Sequence, residues 1–218
     1  ELERERNRGR AREMSTYYEK AYSLITSADA RKAFDIHSES DKVRDTYGRT
    51  QIGQCALLAR RLIEGGARFV GVDAPGWDVH YNCFPSLQTD LIPYADRAYS
   101  ALITDLEERG LLDDTLVVWT TEFGRTPYHE RSDHPGREHH HQVFSSWIAG
   151  GGVKRGLTYG SSDEFGIAVG ENRVHVHDFH ATILHLLGLN HEQLTFRHAG
   201  RDYRLTDVHG EVVTPILT

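Results

Sequence analysis

Apolar positions in the first third of the chain recur at helical spacing. Tyr17, Tyr18, Ala21, Tyr22, Leu24 and Ile25 form one stripe on a polar background, which predicts a long N-terminal helix over residues 1–34. Its first dozen residues are nearly all charged or polar and are expected to fray. Residues 35–49 read as a turn-rich connector. Thr50 then offers a cap to a helix ending at Glu64, with Ile52, Ala56, Leu57, Leu58, Leu62 and Ile63 turned inward and Gly65-Gly66 as the stop. A further helix over Phe84–Arg109 carries Leu87, Leu91, Tyr94, Ala98, Leu102, Ile103 and Leu106 on one side, and Pro93 marks a kink point within it.

Between and after these helices the pattern shortens. Ala67–Val72 and Leu116–Trp119 are brief apolar runs rich in β-branched residues, as expected of strands covered on both faces. Val143–Ala149 is a third such run, closed by Gly150-Gly151-Gly152. Residues 153–172 read as loop and short hairpin. Asp178 is the expected N-cap of a helix over Phe179–Leu187, ended by Gly188. Phe196–Thr206 alternates like a hairpin around Ala199-Gly200, and Glu211–Leu217 predicts one short helix. Helices alternating with short apolar strands predict an α/β fold with a mostly parallel sheet, in one domain without internal repeats.

Composition narrows the function. Within 218 residues, 39 % apolar and 26 % charged, no apolar run reaches membrane-spanning length. A formal charge of −7 argues against a nucleic-acid partner. Cys55 and Cys83 alone make no disulfide framework. Histidine is the unusual residue: there are 14, most beyond position 128, which points to metal or acid–base chemistry. The opening residues are charged, carry no signal peptide and lack a starting Met, so the chain reads as part of a longer protein.

Two expected strand ends present matching donors, at the edge where α/β sheets bind ligands. The first is followed by Asp73, Asp78 and His80. The second is followed by Glu122 and then by a loop with His129, Asp133, His134, Glu138, His139, His140 and His141. A carboxylate with two or three imidazoles suits Zn²⁺, Mn²⁺ or Fe²⁺, whereas Mg²⁺ or Ca²⁺ prefers more carboxylates; the pattern implies a divalent metal without choosing among Zn, Mn and Ca/Mg. The two loops would hold one ion, or a pair about 4 Å apart. The competing reading of Pro75-Gly76-Trp77-Asp78 is ordinary turn chemistry. Arg125 and Arg137 flank the second loop as forks for phosphate or sulfate oxygens, or as partners of nearby carboxylates. His175, His177 and His180 surround Asp178, as further ligands or as a helix-capping cluster. His185, His191, His198 and His209 read as structural or exposed. No Ser or Cys sits in a nucleophile elbow, and there is no Walker-type glycine loop.

The segments GWDVHYN, RGLLDDTLVVWTTEFGRTP, PGREHHH, IAGGGVKRGLTYGSSDEFG, VHVHDFHATILHLLGL and FRHAGRDYRLTDVHGEVV resemble a sulfatase-like family known as domain of unknown function 1501, a member of the alkaline phosphatase superfamily. The resemblance runs from about Ala56 to the C-terminus. It implies a three-layer α/β/α sandwich with metals at the carboxyl edge of a mostly parallel sheet. It also implies hydrolysis of small-molecule or glycan sulfate or phosphate esters. On it, Asp78 and His80 look like the Asp/His metal loop, and His139 like the later His ligand. Glu122 and Phe123 stand where the superfamily has Asp and His, a departure at the second metal position.

The resemblance further implies a nucleophile and a metal-binding aspartate near the N-terminus, neither visible here. It also implies an exported or periplasmic location, through the twin-arginine signal of longer relatives. The chain then reads as a C-terminal half, inactive or nearly so alone. The expected roles are Asp78, His80, Glu122 and His139 as metal ligands, with Asp73, His177 and His180 as lesser candidates, Arg125 on the oxyanion and His140 as proton donor to the leaving group. Two alternatives are a non-catalytic binding or surface protein that retains the scaffold, and a stand-alone single-metal enzyme. Oligomeric state and the choice between sulfate and phosphate are left open.

Overall fold

The computed structural model describes residues 14–23, 26–129 and 136–218. They divide into two units: residues up to Pro75 with Ile92–Leu102 form unit 1, and Gly76–Leu91 with Ile103–Thr218 form unit 2.

In unit 1, residues 14–23 are helical, and α1 (Ala28–Phe34) starts afresh at Ser27. Ser27 is extended (ψ 132°) and its hydroxyl accepts from the Ala30 N–H. A capping serine therefore interrupts the single helix expected over residues 1–34. The first thirteen residues of that expectation, with Leu24 and Ile25, lie outside the described residues. The expected connector contains a helix of its own, α2 (Asp41–Tyr47), capped by Ser40. Thr50 caps α3 (Gln51–Glu64) by accepting from the Gly53 N–H, and Gly65 ends it.

Tyr47, Ala56, Leu57, Ala98 and Ala101 form the core of unit 1, with Val43, Ile52 and Leu102 packed on it. Full burial of a chain such as Leu57 contributes about 1.5–3 kcal/mol. Gly53 makes this packing possible, because a Cβ there would stand 2.3 Å from the Tyr47 carbonyl oxygen. Near the end of α3 the buried face turns charged. Arg60, 1 % exposed, and Arg61 both donate to Glu39. Arg61 also donates to the Ala33 carbonyl at 2.9 Å.

Ala67–Val72 is not a strand. It has no ladder partner among the described residues, and Phe69 is 86 % exposed. An apolar run becomes a strand only where a neighbour takes its N–H and C=O groups. The expected helix over Phe84–Arg109 is α4 (Cys83–Ser86), a π-turn at Leu87–Leu91, and α5 (Ile92–Glu108). The π-turn precedes Pro93, which has no N–H to give the helical ladder.

Unit 2 overturns the expected sheet. The described strands form four two-stranded antiparallel sheets, not a three-layer sandwich with a mostly parallel sheet. β1 (Val117–Trp119) pairs with β4 (Trp147–Ala149), Val118 opposite Ile148. β2 (Gly124–Arg125) pairs with β3 (His139–His140). β5 (Ser161–Ser162) pairs with β6 (Val169–Glu171), and β7 (Thr195–His198) with β8 (Arg201–Arg204). A parallel pair needs a crossover connection, usually a helix. The described residues between β1 and β4 contain no helix, so the chain returns antiparallel.

The expected hairpin turn at Ala199-Gly200 is present, with φ of 48° and 84°. α6 (Val176–Leu186) begins earlier than expected. His175 is its N-cap, and Asp178 is the reciprocal member of the capping box. Asp178 also accepts from the Glu211 N–H at 2.9 Å, and buried Thr182 accepts from the Val213 N–H at 2.9 Å, so the C-terminal segment is tied to α6. Among the described residues no helix is long and apolar enough to cross a membrane.

Candidate metal centre

The site lies wholly within unit 2 and is assembled from two short segments. The first is the turn after Gly76, whose φ of 93° suits glycine alone. Trp77 packs edge-to-face on Trp119 of β1, centroids 6.2 Å apart, which ties the turn to the strand. Asp78 and His80 follow. The second segment is the β2–β3 pair, where Arg125 stands opposite His139. The register continues by one pair: buried Thr126 donates its N–H to the Glu138 carbonyl at 2.9 Å, and the Glu138 N–H donates to the Thr126 hydroxyl at 3.1 Å.

The two segments touch through backbone. A Cβ on Gly136 would lie 1.5 Å from the His80 carbonyl oxygen, so only glycine permits this approach. The sequence motif contains Gly136, but its spacing does not reveal that a second segment lies against it.

Asp78 Oδ1 is the centre of the cluster. It accepts from His139 Nε2 at 2.8 Å and from an Arg125 terminal nitrogen at 2.7 Å, and His80 Nδ1 lies 3.5 Å away. The hydrogen bond from His139, then that from Arg125, holds the Asp78 carboxyl at about 2. Ligand atoms of Asp78, His80 and His139 all lie within 4.8 Å of one another, the one such group of three among the described residues. Zn–ligand bonds of about 2.0–2.2 Å place the donors of a shared ion roughly 3–4 Å apart, so small rotations suffice. One carboxylate and two imidazoles also fit a borderline transition ion by donor type. The Asp78 side chain is 71 % exposed, so the cluster is open to entry.

Among the described residues, the other expected site residues are not members of this group of three. Glu122 is exposed, and its carboxyl is held below the ordinary glutamate range by its own backbone N–H and the Thr121 hydroxyl, with a smaller attraction from His139. Phe123, the departure noted above, lies on the His139 ring at 4.1 Å. His140 donates from Nε2 to the Ile167 carbonyl at 2.8 Å. The loop offering that carbonyl is braced by Asp163, whose carboxylate accepts from the N–H groups of Ile167, Ala168 and Phe165. Arg125 also donates to the Trp77 carbonyl at 3.2 Å, and Arg137 stacks on Phe84 at 4.8 Å. Asp73 belongs to unit 1 and is exposed.

His177 stacks on His175 at 4.8 Å, and His180 bonds the Val176 carbonyl through Nδ1 at 2.7 Å. These two serve the first turn of α6. Asp133 and His134 lie outside the described residues. Sequence reasoning assigned no role to Glu138, whose carboxylate lies 3.4 Å from His80 Nε2. Its adjacency to His139 was the available signal.

Neither curated proteins nor solved structures gave a match to this chain. The profile of the family described as "Protein of unknown function (DUF1501)" matches residues 1–217, and the chain belongs to that family.

Proposed function

We propose that this chain carries the metal-binding part of a metal-dependent hydrolase acting on sulfate or phosphate esters of small molecules or glycans. The supporting observation is the convergence of Asp78, His80 and His139, with the Arg125 guanidinium bonded to the same carboxylate oxygen. Those three residues would hold the ion, and the donor set favours Zn²⁺ or Mn²⁺ over Mg²⁺ or Ca²⁺. A bound ion supplies Lewis acidity to an ester oxygen. Arg125 brings a planar cation suited to an anionic ester group. Asp78 keeps both Arg125 and His139 oriented toward one point. His140, engaged by Ile167, is left out of this proposal. Kinship with the alkaline phosphatase superfamily and export of the full-length protein belong to the same proposal and rest on motif order alone.

The test is elemental mass spectrometry of the purified chain and of Asp78→Ala, followed by assay of the full-length protein on sulfate and phosphate esters. Stoichiometric metal lost in the variant, with ester turnover in the full-length protein, supports the reading. A folded chain that takes up no metal sinks it. Metal without turnover would favour the alternative of a non-catalytic binding protein. The Phe123 ring, covering His139 where the superfamily has a further His, speaks for that alternative.

A further inference from the structure

We infer that Glu138 is a positioning residue of this site: its carboxylate takes the His80 Nε2–H and leaves the Nδ1 lone pair for the ion. The inference rests on the reading of Asp78, His80 and His139 as metal ligands.

The His80 ring lies between two carboxylates. Nε2 lies 3.4 Å from Glu138 Oε2. Nδ1 lies 3.5 Å from Asp78 Oδ1 and 3.4 Å from the Asp78 carbonyl oxygen. Both ring nitrogens therefore face oxygens that only accept. A neutral imidazole has one N–H and one lone pair and can satisfy one side. With the hydrogen on Nε2, it lies on the side of the Glu138 carboxylate, 3.4 Å from Nε2, and the lone pair on Nδ1 lies on the side of the Asp78 carboxylate. Two electron-pair donors aimed at one region are what a cation requires. With the hydrogen on Nδ1, that N–H would serve the Asp78 oxygens, but it would also stand where an ion meets the Asp78 carboxylate, and a cation repels it. With an ion on the Asp78 carboxylate the hydrogen belongs on Nε2, where the Glu138 oxygen serves as its acceptor, as outer carboxylates do for metal-bound imidazoles generally.

Glu138 is held for this task. Its N–H and C=O both pair with buried Thr126, whose hydroxyl in turn donates to the Tyr128 carbonyl at 2.8 Å. The same bonds set the register of the neighbouring His139. His80 is held from the other side by the approach of Gly136 to its carbonyl. The backbones that carry Glu138 and His80 are therefore both fixed.

The test is calorimetric titration of the full chain with Zn²⁺ and with Mn²⁺, in wild type, Asp78→Ala, Glu138→Ala and Glu138→Gln. Nitrogen-15 spectra of the Zn²⁺-loaded wild type and Glu138 variants accompany it. Glu138→Ala is expected to lower affinity about 10- to 100-fold. Glu138→Gln, whose amide oxygen still accepts an N–H, is expected to recover most of that loss and to keep His80 protonated on Nε2. If Asp78→Ala binds as wild type does, the ligand reading itself fails. If Asp78→Ala loses the ion but Glu138→Ala binds within twofold of wild type, this inference alone fails. Glu138→Gln as damaging as Glu138→Ala would overturn the positioning role, because the charge itself would then be required.

Discussion

Unit 1 and unit 2 each hold one carboxylate between two nitrogen-donor side chains, and the two pairs serve different ends. Glu39 lies between Arg60 and Arg61, and Asp78 between His139 and Arg125. Both carboxyls are held below their ordinary range. A depressed carboxyl therefore does not by itself mark a functional site. The difference lies in the partners and in the water. Guanidinium groups have no lone pair to give and stay protonated, so the Glu39 cluster can only be structural. Glu39 is 14 % exposed and Arg60 1 %, which makes that cluster part of the packing. Asp78 faces imidazoles, which ligate metals, and it is open to solvent. The lesson is that donor type and access, more than the size of a shift, separate a binding site from a brace.

The sharpest way to break this contrast is to remove each carboxylate in turn. Asp78→Ala and His139→Ala should abolish stoichiometric metal binding by elemental analysis and leave the thermal melt of the metal-free chain unchanged. Metal retained by either variant would erase the distinction drawn between the units. Next in size is Gly136→Ala. Its Cβ would collide with the His80 carbonyl, so the loop carrying His139 must withdraw from the loop carrying His80. Metal affinity should fall by at least an order of magnitude, while far-ultraviolet circular dichroism stays the same. Wild-type affinity in this variant would mean that the two loops need not touch.

What the sequence revealed follows the range of the interactions involved. Local signals were legible: Thr50 caps α3, and the Ala199-Gly200 turn closes the last hairpin. Asp78, His80 and His139 were legible as donors because residue type and spacing carry that information. Sheet topology was not. The run of Ala67–Val72 has the composition of a strand, but pairing depends on a neighbour that the local pattern does not specify. The mostly parallel sheet was inferred from such runs, and β1 instead takes β4 in antiparallel register. Glu138 and Gly136 were hidden for a related reason. Their importance comes from a contact with His80, more than fifty positions away, and no local period encodes it.

The Glu39 cluster should respond to acid and to substitution as a structural brace does. Burial pushes the Glu39 carboxyl up, and hydrogen bonds from Arg61 and Arg60 push it further down, leaving it below 4.5. A folded-state value below the unfolded one means full stabilisation above about pH 4.5, lost as pH falls through the folded value. Glu39→Gln should remove this acid-side loss, read from hydrogen exchange of the α3 amides between pH 7 and pH 3. Glu39→Ala at pH 7 should destabilise unit 1 by about 3 kcal/mol, near the low end for breaking a buried pair, since Arg60 keeps Glu64. Metal binding should be untouched, and a loss of metal in Glu39→Ala would show that the two carboxylates are not independent.

The smallest effect is expected from Arg125→Ala, and it is the most discriminating because the Arg125 guanidinium bonds Asp78 but cannot ligate metal. Its bond to Asp78 is exposed on the carboxylate side, where ion pairs contribute little to folding. The melting temperature should stay within error of wild type. Losing Arg125 also removes the second cause of the Asp78 depression, so that carboxyl should move from about 2 back toward its ordinary value of 3.8, measurable by carbon-13 titration. Asp78 remains ionised at neutral pH in either case, so metal affinity should change by no more than a few-fold. In a full-length protein that turns over an anionic ester, the same variant should raise KM, since the fork that meets the ester oxygens is gone. A clear drop in melting temperature would instead class Arg125 with Arg60 and Arg61 as a brace. The Asp78 cluster would then differ from the Glu39 cluster only in its histidines.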